Sequence, residues 1–269
     1  MNIQQMMLLI LTAALSAALL YWLHKSKKID KWLAISMFIA LQLVGNQVAH
    51  SDYLSAGPLT LQQQIGASLD RLPVMVTLKE KDPATRQRLE NAVLAAMAQG
   101  MSKYQALELV QPEIAEAIGK RLPFAPDAQI NQYMAVTLLQ LNELQDKGGK
   151  LCFQFLFPHS AGAIDATKYN SASVLMQRLE TDNRLVAASY QQPQTNSEQD
   201  LQQASAQMQH IALQLARKYG DDLKMLTPPQ RSDVDHQQVC RIVSDLYQRV
   251  MALPAAQSAA LLRIMLRPS

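Results

Sequence analysis

Glycine is scarce in this chain, with nine among 269 residues. A backbone that cradles phosphate needs glycines at several close positions, and no such Gly-rich loop occurs. The Gly-x-Ser-x-Gly elbow, the His-Glu-x-x-His helix and the Cys-x-x-Cys pair are missing too. These absences remove the nucleotide cradle, the serine-hydrolase turn, the zinc-protease site and the dithiol redox motif. No catalytic residue, metal site or cofactor is expected.

A basic surplus is missing from most of the chain as well. Residues 1–50 hold four of the 25 Lys and Arg and one of the 22 Asp and Glu, which leaves 21 of each sign for residues 51–269. The sequence pI of about 8.8 therefore comes from the N-terminal region. Nucleic-acid binding requires clustered cations to neutralise phosphates, so no nucleic-acid partner is expected. Proline is absent before residue 58, and all 12 prolines punctuate the remainder of the chain.

The first fifty residues are rich in apolar length. Met6 to Leu23 and Trp32 to Ala49 are uncharged stretches of 18 residues, flanking the basic loop His24-Lys25-Ser26-Lys27-Lys28-Ile29-Asp30-Lys31. Eighteen helical residues extend ~27 Å, close to the thickness of a bilayer's hydrocarbon core. Tyr21 and Trp22 close the first stretch, where aromatic rings favour the headgroup level. Lysines favour the cytoplasmic side, so Lys25, Lys27, Lys28 and Lys31 set a topology with both chain ends outside. Gln42, Asn46 and Gln47 fall at i, i+4 and i+5 of the second stretch, one polar face suited to a partner helix.

This reads as a membrane anchor over 1–50 with its loop at 24–31, a linker over 51–59 and a helical domain over 60–269. The lipid bilayer is then one partner. In a bacterium the chain sits in the inner membrane with its C-terminal domain in the periplasm. Two alternatives are a single span with an interfacial segment after it, and a signal sequence cleaved near Ala49. Gln47, three residues before that cut, is a poor match to the small residue required there.

From residue 60 onward the apolar period is helical, and the fold class is all-α. The pattern predicts helices over Thr60–Leu72, from Asp82-Pro83 to Gly100 (Leu89, Val93 and Met97 inside), and from Ser102. This last helix carries Leu107, Val110, Ile114 and Ile118 inward, with a kink at Pro112. A long helix is expected next over Asp127–Asp146, with a stripe of Ile130, Met134, Leu138, Leu141 and Leu144. Further helices are expected over Ser173–Tyr190, Glu198–Tyr219, Val234–Ala252 and from Pro254 to Arg267. In Glu198–Tyr219 the expected inner stripe is Leu201, Met208, Ala212, Leu215 and Tyr219. The architecture is a multi-helix bundle or a stack of helix pairs.

Lys150 to Phe157 interrupts the pattern. Leu151, Phe153, Phe155 and Phe157 alternate with Cys152, Gln154 and Leu156, which suits either an extended segment or one buried turn of helix. Three of the chain's five phenylalanines lie here. Buried, they form a core. Exposed, Phe153, Phe155 and Phe157 are candidates for binding a protein partner. Cys152 and Cys240 are the only cysteines and form the candidate disulfide of an oxidising compartment.

The remaining groupings are weaker. Asp233, Asp235 and His236 do not share a helix face, and an acidic helix start explains them. His159-Ser160 are adjacent in sequence, a poor geometry for base and nucleophile. Ser173-Val174-Leu175-Met176-Gln177 resembles a stretch of lysozyme-like transglycosylases, but the glutamate such enzymes need upstream is missing. Glu113 and Glu116, at i and i+3, form a common surface pair.

The sequence thus reads as a non-catalytic, inner-membrane-anchored periplasmic protein that binds another protein. The sharpest form of that reading is an immunity or inhibitor protein against a periplasmic toxin. The alternatives are an accessory subunit acting through its transmembrane hairpin, and an envelope enzyme with an unrecognised site.

Overall fold

The computed structural model describes residues 60–162, 164–226 and 234–267, with the backbone alone for His159 and Ser160. The chain divides into two units between Gln64 and Ile65. The expected anchor, with Lys25, Lys27, Lys28, Lys31, Gln42, Asn46 and Gln47, lies outside the described residues. Among those described, no helix is long and apolar enough to cross a membrane.

The described residues are all-α. Helix α1 spans Leu61–Leu69 and buries Ile65 and Leu69. A helix not expected from the sequence, α2 at Pro73–Lys81, comes directly after it. Pro73 ends the expected Thr60–Leu72 helix, yet it also starts a new one, because the first helical position needs no N–H donor. Asp82 then caps α3 (Pro83–Ala98) by accepting from the Thr85 N–H at 3.0 Å.

Pro112 does more than kink its segment. The structure has two helices here, α4 (Lys103–Leu109) and α5 (Gln111–Gly119). Proline cannot donate to the carbonyl four residues back and its ring crowds that carbonyl. The chain therefore breaks at Val110 and restarts with Pro112 in the first turn. Ala106, Val110, Ile114 and Ile118 are buried along the pair.

Helix α6 (Asp127–Lys147) is the centre of the domain. It packs against α7 (Gly149–Leu156), α9 (Ala172–Gln191), α11 (His236–Met251) and α12 (Ala255–Met265). The short α8 (Pro158–Ala161) comes after α7, and α10 (Glu198–Tyr219) packs against α11 and α12. Gly148 separates α6 from α7 at φ 133°, a conformation that side chains other than glycine's rarely adopt. Of the expected α6 stripe, Ile130, Met134, Leu141 and Leu144 are buried, with Leu138 partly so.

The stripe of α10 needs correction. Leu215 is buried, and Met208 and Tyr219 pack partly buried against the core as expected, but Leu201 is 46% exposed and Ala212 is also outward. The helix is amphipathic, and its inner face keeps Met208, Leu215 and Tyr219 of the expected stripe but takes Ala204 and Ile211 in place of Leu201 and Ala212. Alanine and glutamine dominate it and give the sequence little contrast between faces. Its capping box is present, with Asp200 in the place usually held by Glu or Gln.

Several carboxylates tie these helices together. Glu143 on α6 accepts from the Ser171 N–H at 2.7 Å and the Ser171 hydroxyl at 2.6 Å, at the residue that caps α9. Those hydrogen bonds hold its carboxyl below the ordinary 4.5. The Arg86 hydrogen bond holds Asp70 below 3.8. For Asp82, burial opposes ionisation, but hydrogen bonds from Thr85 and Tyr190 outweigh it. A carboxyl whose folded pKa is depressed contributes stability above its unfolded pKa, and the contribution is lost as pH falls through the folded value. The melting temperature is therefore expected to fall as the pH drops below about 4.5, measurable by circular dichroism from pH 7 to pH 2. A melting temperature that rises across this interval contradicts the assignment.

Candidate functional site

The apolar residues sort into two clusters. The larger spans α1–α6, α9, α10, α12 and the last turns of α11, where Val250 is buried. The smaller lies at the C-terminal end of α6 and consists of Leu141, Leu144, Cys152, Phe153, Val239, Cys240 and Val243. This second cluster gathers both candidate cysteines and the first of the three candidate phenylalanines.

Lys150–Phe157 resolves as helix: α7 covers Gly149–Leu156, with Phe157 as its C-cap. Its alternation in sequence matters less than its spacing in the helix, because Cys152 and Phe153 turn inward and Phe155 and Phe157 pack partly buried against the same cluster. Phe153 is 3% exposed. Its ring stacks on His236 with centroids 4.2 Å apart and tilts against Phe157 at 5.0 Å. Such pairs contribute about 0.5–1.5 kcal/mol beyond the area they bury.

Cys152 and Cys240 form a disulfide with Cα atoms 6.1 Å apart, and both residues are fully buried. The bond spans 88 residues of sequence, so loop entropy alone stabilises the fold by roughly 4–5 kcal/mol. It joins α7 to the second turn of α11. A close approach reinforces it, because a Cβ added at Gly149 falls 2.5 Å from the Gln237 backbone. Only glycine lets the first turns of α7 and α11 come this near.

Around the cluster, Asp235 caps α11 by accepting from the Gln238 N–H at 3.0 Å. Gln238 in turn donates to Asp222 at 2.7 Å. Asp233 lies outside the described residues, and among those described no three His, Cys, Asp or Glu side chains come together to hold a metal ion. His159 and Ser160 lie on α8. Glu113 and Glu116 are exposed on α5, where Glu116 pairs with Lys120 at 2.6 Å. Val174 is buried in the first turn of α9 while Met176 is 65% exposed.

A second constellation is absent from the candidates that the sequence offers. Arg178 on α9 donates from Nε to Asp182 at 2.9 Å and from Nη1 to Thr137 Oγ1 at 3.1 Å and Gln140 Oε1 at 3.4 Å. Its guanidinium lies 4.1 Å from the centroid of the Tyr133 ring. Burial pushes the Asp182 carboxyl above its ordinary value despite this partner. Arg178 and Asp182 stand at i and i+4 on the face that also carries Leu175, Leu179 and Val186, and a polar pair on an apolar stripe is the signal that marks them. The network joins α6 to α9 and closes on itself, since each polar group meets another from the same two helices.

No protein family, no curated protein and no solved structure matches the chain.

Proposed function

We propose that this chain is a non-catalytic protein of a bacterial inner membrane whose helical domain faces the periplasm and binds another protein. The observation that carries the reading is the buried Cys152–Cys240 disulfide in a chain whose first fifty residues read as a membrane hairpin. Structural disulfides persist in oxidising compartments such as the periplasm. The basic loop at 24–31 assigns the domain to that side of the membrane. The sharpest form is an immunity protein that neutralises a toxin delivered into the periplasm. Phe155 and Phe157, at the edge of the second cluster, are the proposed contact residues.

Competition between bacteria tests the immunity form. A strain lacking the chain is expected to be killed by its toxin-delivering parent and to be rescued by the intact chain. A Phe155→Asp/Phe157→Asp variant that still folds is expected to fail in that rescue. Equal survival of the strain lacking the chain rules the immunity form out.

A second reading rests on Gln42, Asn46 and Gln47, whose shared helix face suits a partner within the bilayer. In that reading the chain is an accessory subunit of a membrane complex. Detergent-solubilised complexes are then expected to fall apart in a Gln42→Leu/Asn46→Leu variant and to survive the two Phe→Asp substitutions.

A further inference from the structure

The two apolar clusters differ greatly in size. Among the described residues, twenty-six buried positions make up the larger, against seven in the smaller, and two of those seven are the cysteines themselves. Leu138 and Tyr247 border both clusters. The smaller one is shared by the last turns of α6, the eight residues of α7, the segment Gly220–Leu226 and the first turns of α11. An eight-residue helix is marginal by itself, and so small a core supplies little burial to hold one. Without the covalent bond, α7 is held by Leu151, Phe153, Phe155, Leu156, the Phe153–His236 stack and the Gly149 contact. The larger cluster contains no cysteine.

We infer that the Cys152–Cys240 bond is a latch on a separately opening lobe: a dithiol reductant frees α7 from α11 and uncovers Phe153, while the α6–α9–α12 core stays folded. The chemistry is a two-electron exchange. A thiolate of the dithiol attacks one cysteine sulfur and forms a mixed disulfide. The other cysteine leaves as a thiolate and takes up a proton. The second thiol of the reductant then displaces the remaining cysteine and closes its own disulfide. Both cysteines are fully buried, so attack requires the lobe to open first, and the rate of reduction reports that opening. The latch makes the exposure of Phe153 conditional on the redox state around it. A chain whose cysteines are still reduced presents that ring, and one with the bond closed buries it, while Phe155 and Phe157 stay partly exposed in both.

The test is amide hydrogen exchange read by mass spectrometry on the full chain in phospholipid nanodiscs, with and without dithiothreitol. A Cys152→Ala/Cys240→Ala variant serves as a second route to the open lobe. In the reduced protein, exchange is expected to accelerate by roughly a hundredfold over Gly149–Leu156 and the first turns of His236–Met251. Exchange in Ala172–Gln191 and in the first half of Asp127–Lys147 is expected to stay within a few-fold of the oxidised protein. Unchanged exchange in α7 overturns the inference, because the non-covalent contacts then suffice. Acceleration throughout α6, α9 and α12 overturns it equally, because the bond then holds the whole domain and not a lobe.

Discussion

Replacing Arg178 with Met is expected to destabilise the domain by about 3–5 kcal/mol, which urea unfolding at pH 7 would measure. The side chain fills the α6–α9 interface with three polar partners and the face of Tyr133. Methionine restores most of the stem's packing but none of the charge. Asp182, 8% exposed, then stands in an apolar interface without its cation, and Gln140, 3% exposed, loses the guanidinium as a partner. An unpaired buried charge is the costliest outcome of breaking such a pair.

The pH dependence of that cost has a definite sign. Burial already holds the Asp182 carboxyl above 3.8, and losing Arg178 removes the groups that oppose this shift. A carboxyl with a raised folded pKa contributes stability that is present below its unfolded pKa and lost as pH rises through the folded value. The Arg178→Met deficit should therefore be smaller near pH 4 than at pH 7. Asp182→Asn is expected to cost less than Arg178→Met, because it leaves no charge behind. The double variant Arg178→Met/Asp182→Leu should recover at least half of the loss, as apolar replacements of buried ion pairs commonly do. A single-variant cost below about 1 kcal/mol would show that water reaches the pair and screens it.

Which features are legible in the sequence depends on which ones are local. The Asp82 cap, the Ser102 start of α4 and the Ser197–Asp200 box are encoded within four residues, and each stands where its pattern predicts. The α6 stripe is equally plain, since five apolar residues recur at helical spacing through Ile130–Leu144. Proline misleads in one sense only. Pro73 and Pro112 read in sequence as an end and a kink, yet each sits in the first turn of a new helix. The same missing N–H permits both readings, and the turn geometry before the proline decides between them. The Cys152–Cys240 pair is legible as a candidate but not as a bond, because only the tertiary fold brings its Cα atoms within reach. The buried arginines are illegible for a similar reason. Arg86 and Arg263 look like surface charges until their acceptors, drawn from distant segments, surround them.

Arg263 shows how far one such residue reaches, and its loss is the other large expected effect. On α12 it is 4% exposed. Nε donates to the Ala125 carbonyl at 2.9 Å, Nη1 to Asn196 Oδ1 at 3.1 Å, and Nη2 to the Asp127 carboxylate. Ala125 and Asp127 flank the start of α6, and Asn196 lies between α9 and α10. One guanidinium thus joins three segments that share no local sequence, and its planar fork meets all three acceptors at once. Arg263→Met is expected to cost about 2–4 kcal/mol. Most of this comes from the Ala125 carbonyl, left buried without a donor, and less from Asp127, which keeps 32% of its side chain in water. Arg263→Lys should recover only part, since an ammonium cannot reproduce the three-way geometry. Thermal unfolding of the three proteins at one pH decides the point. If the lysine variant matches the arginine protein, the charge alone carries the effect and the fork geometry contributes nothing.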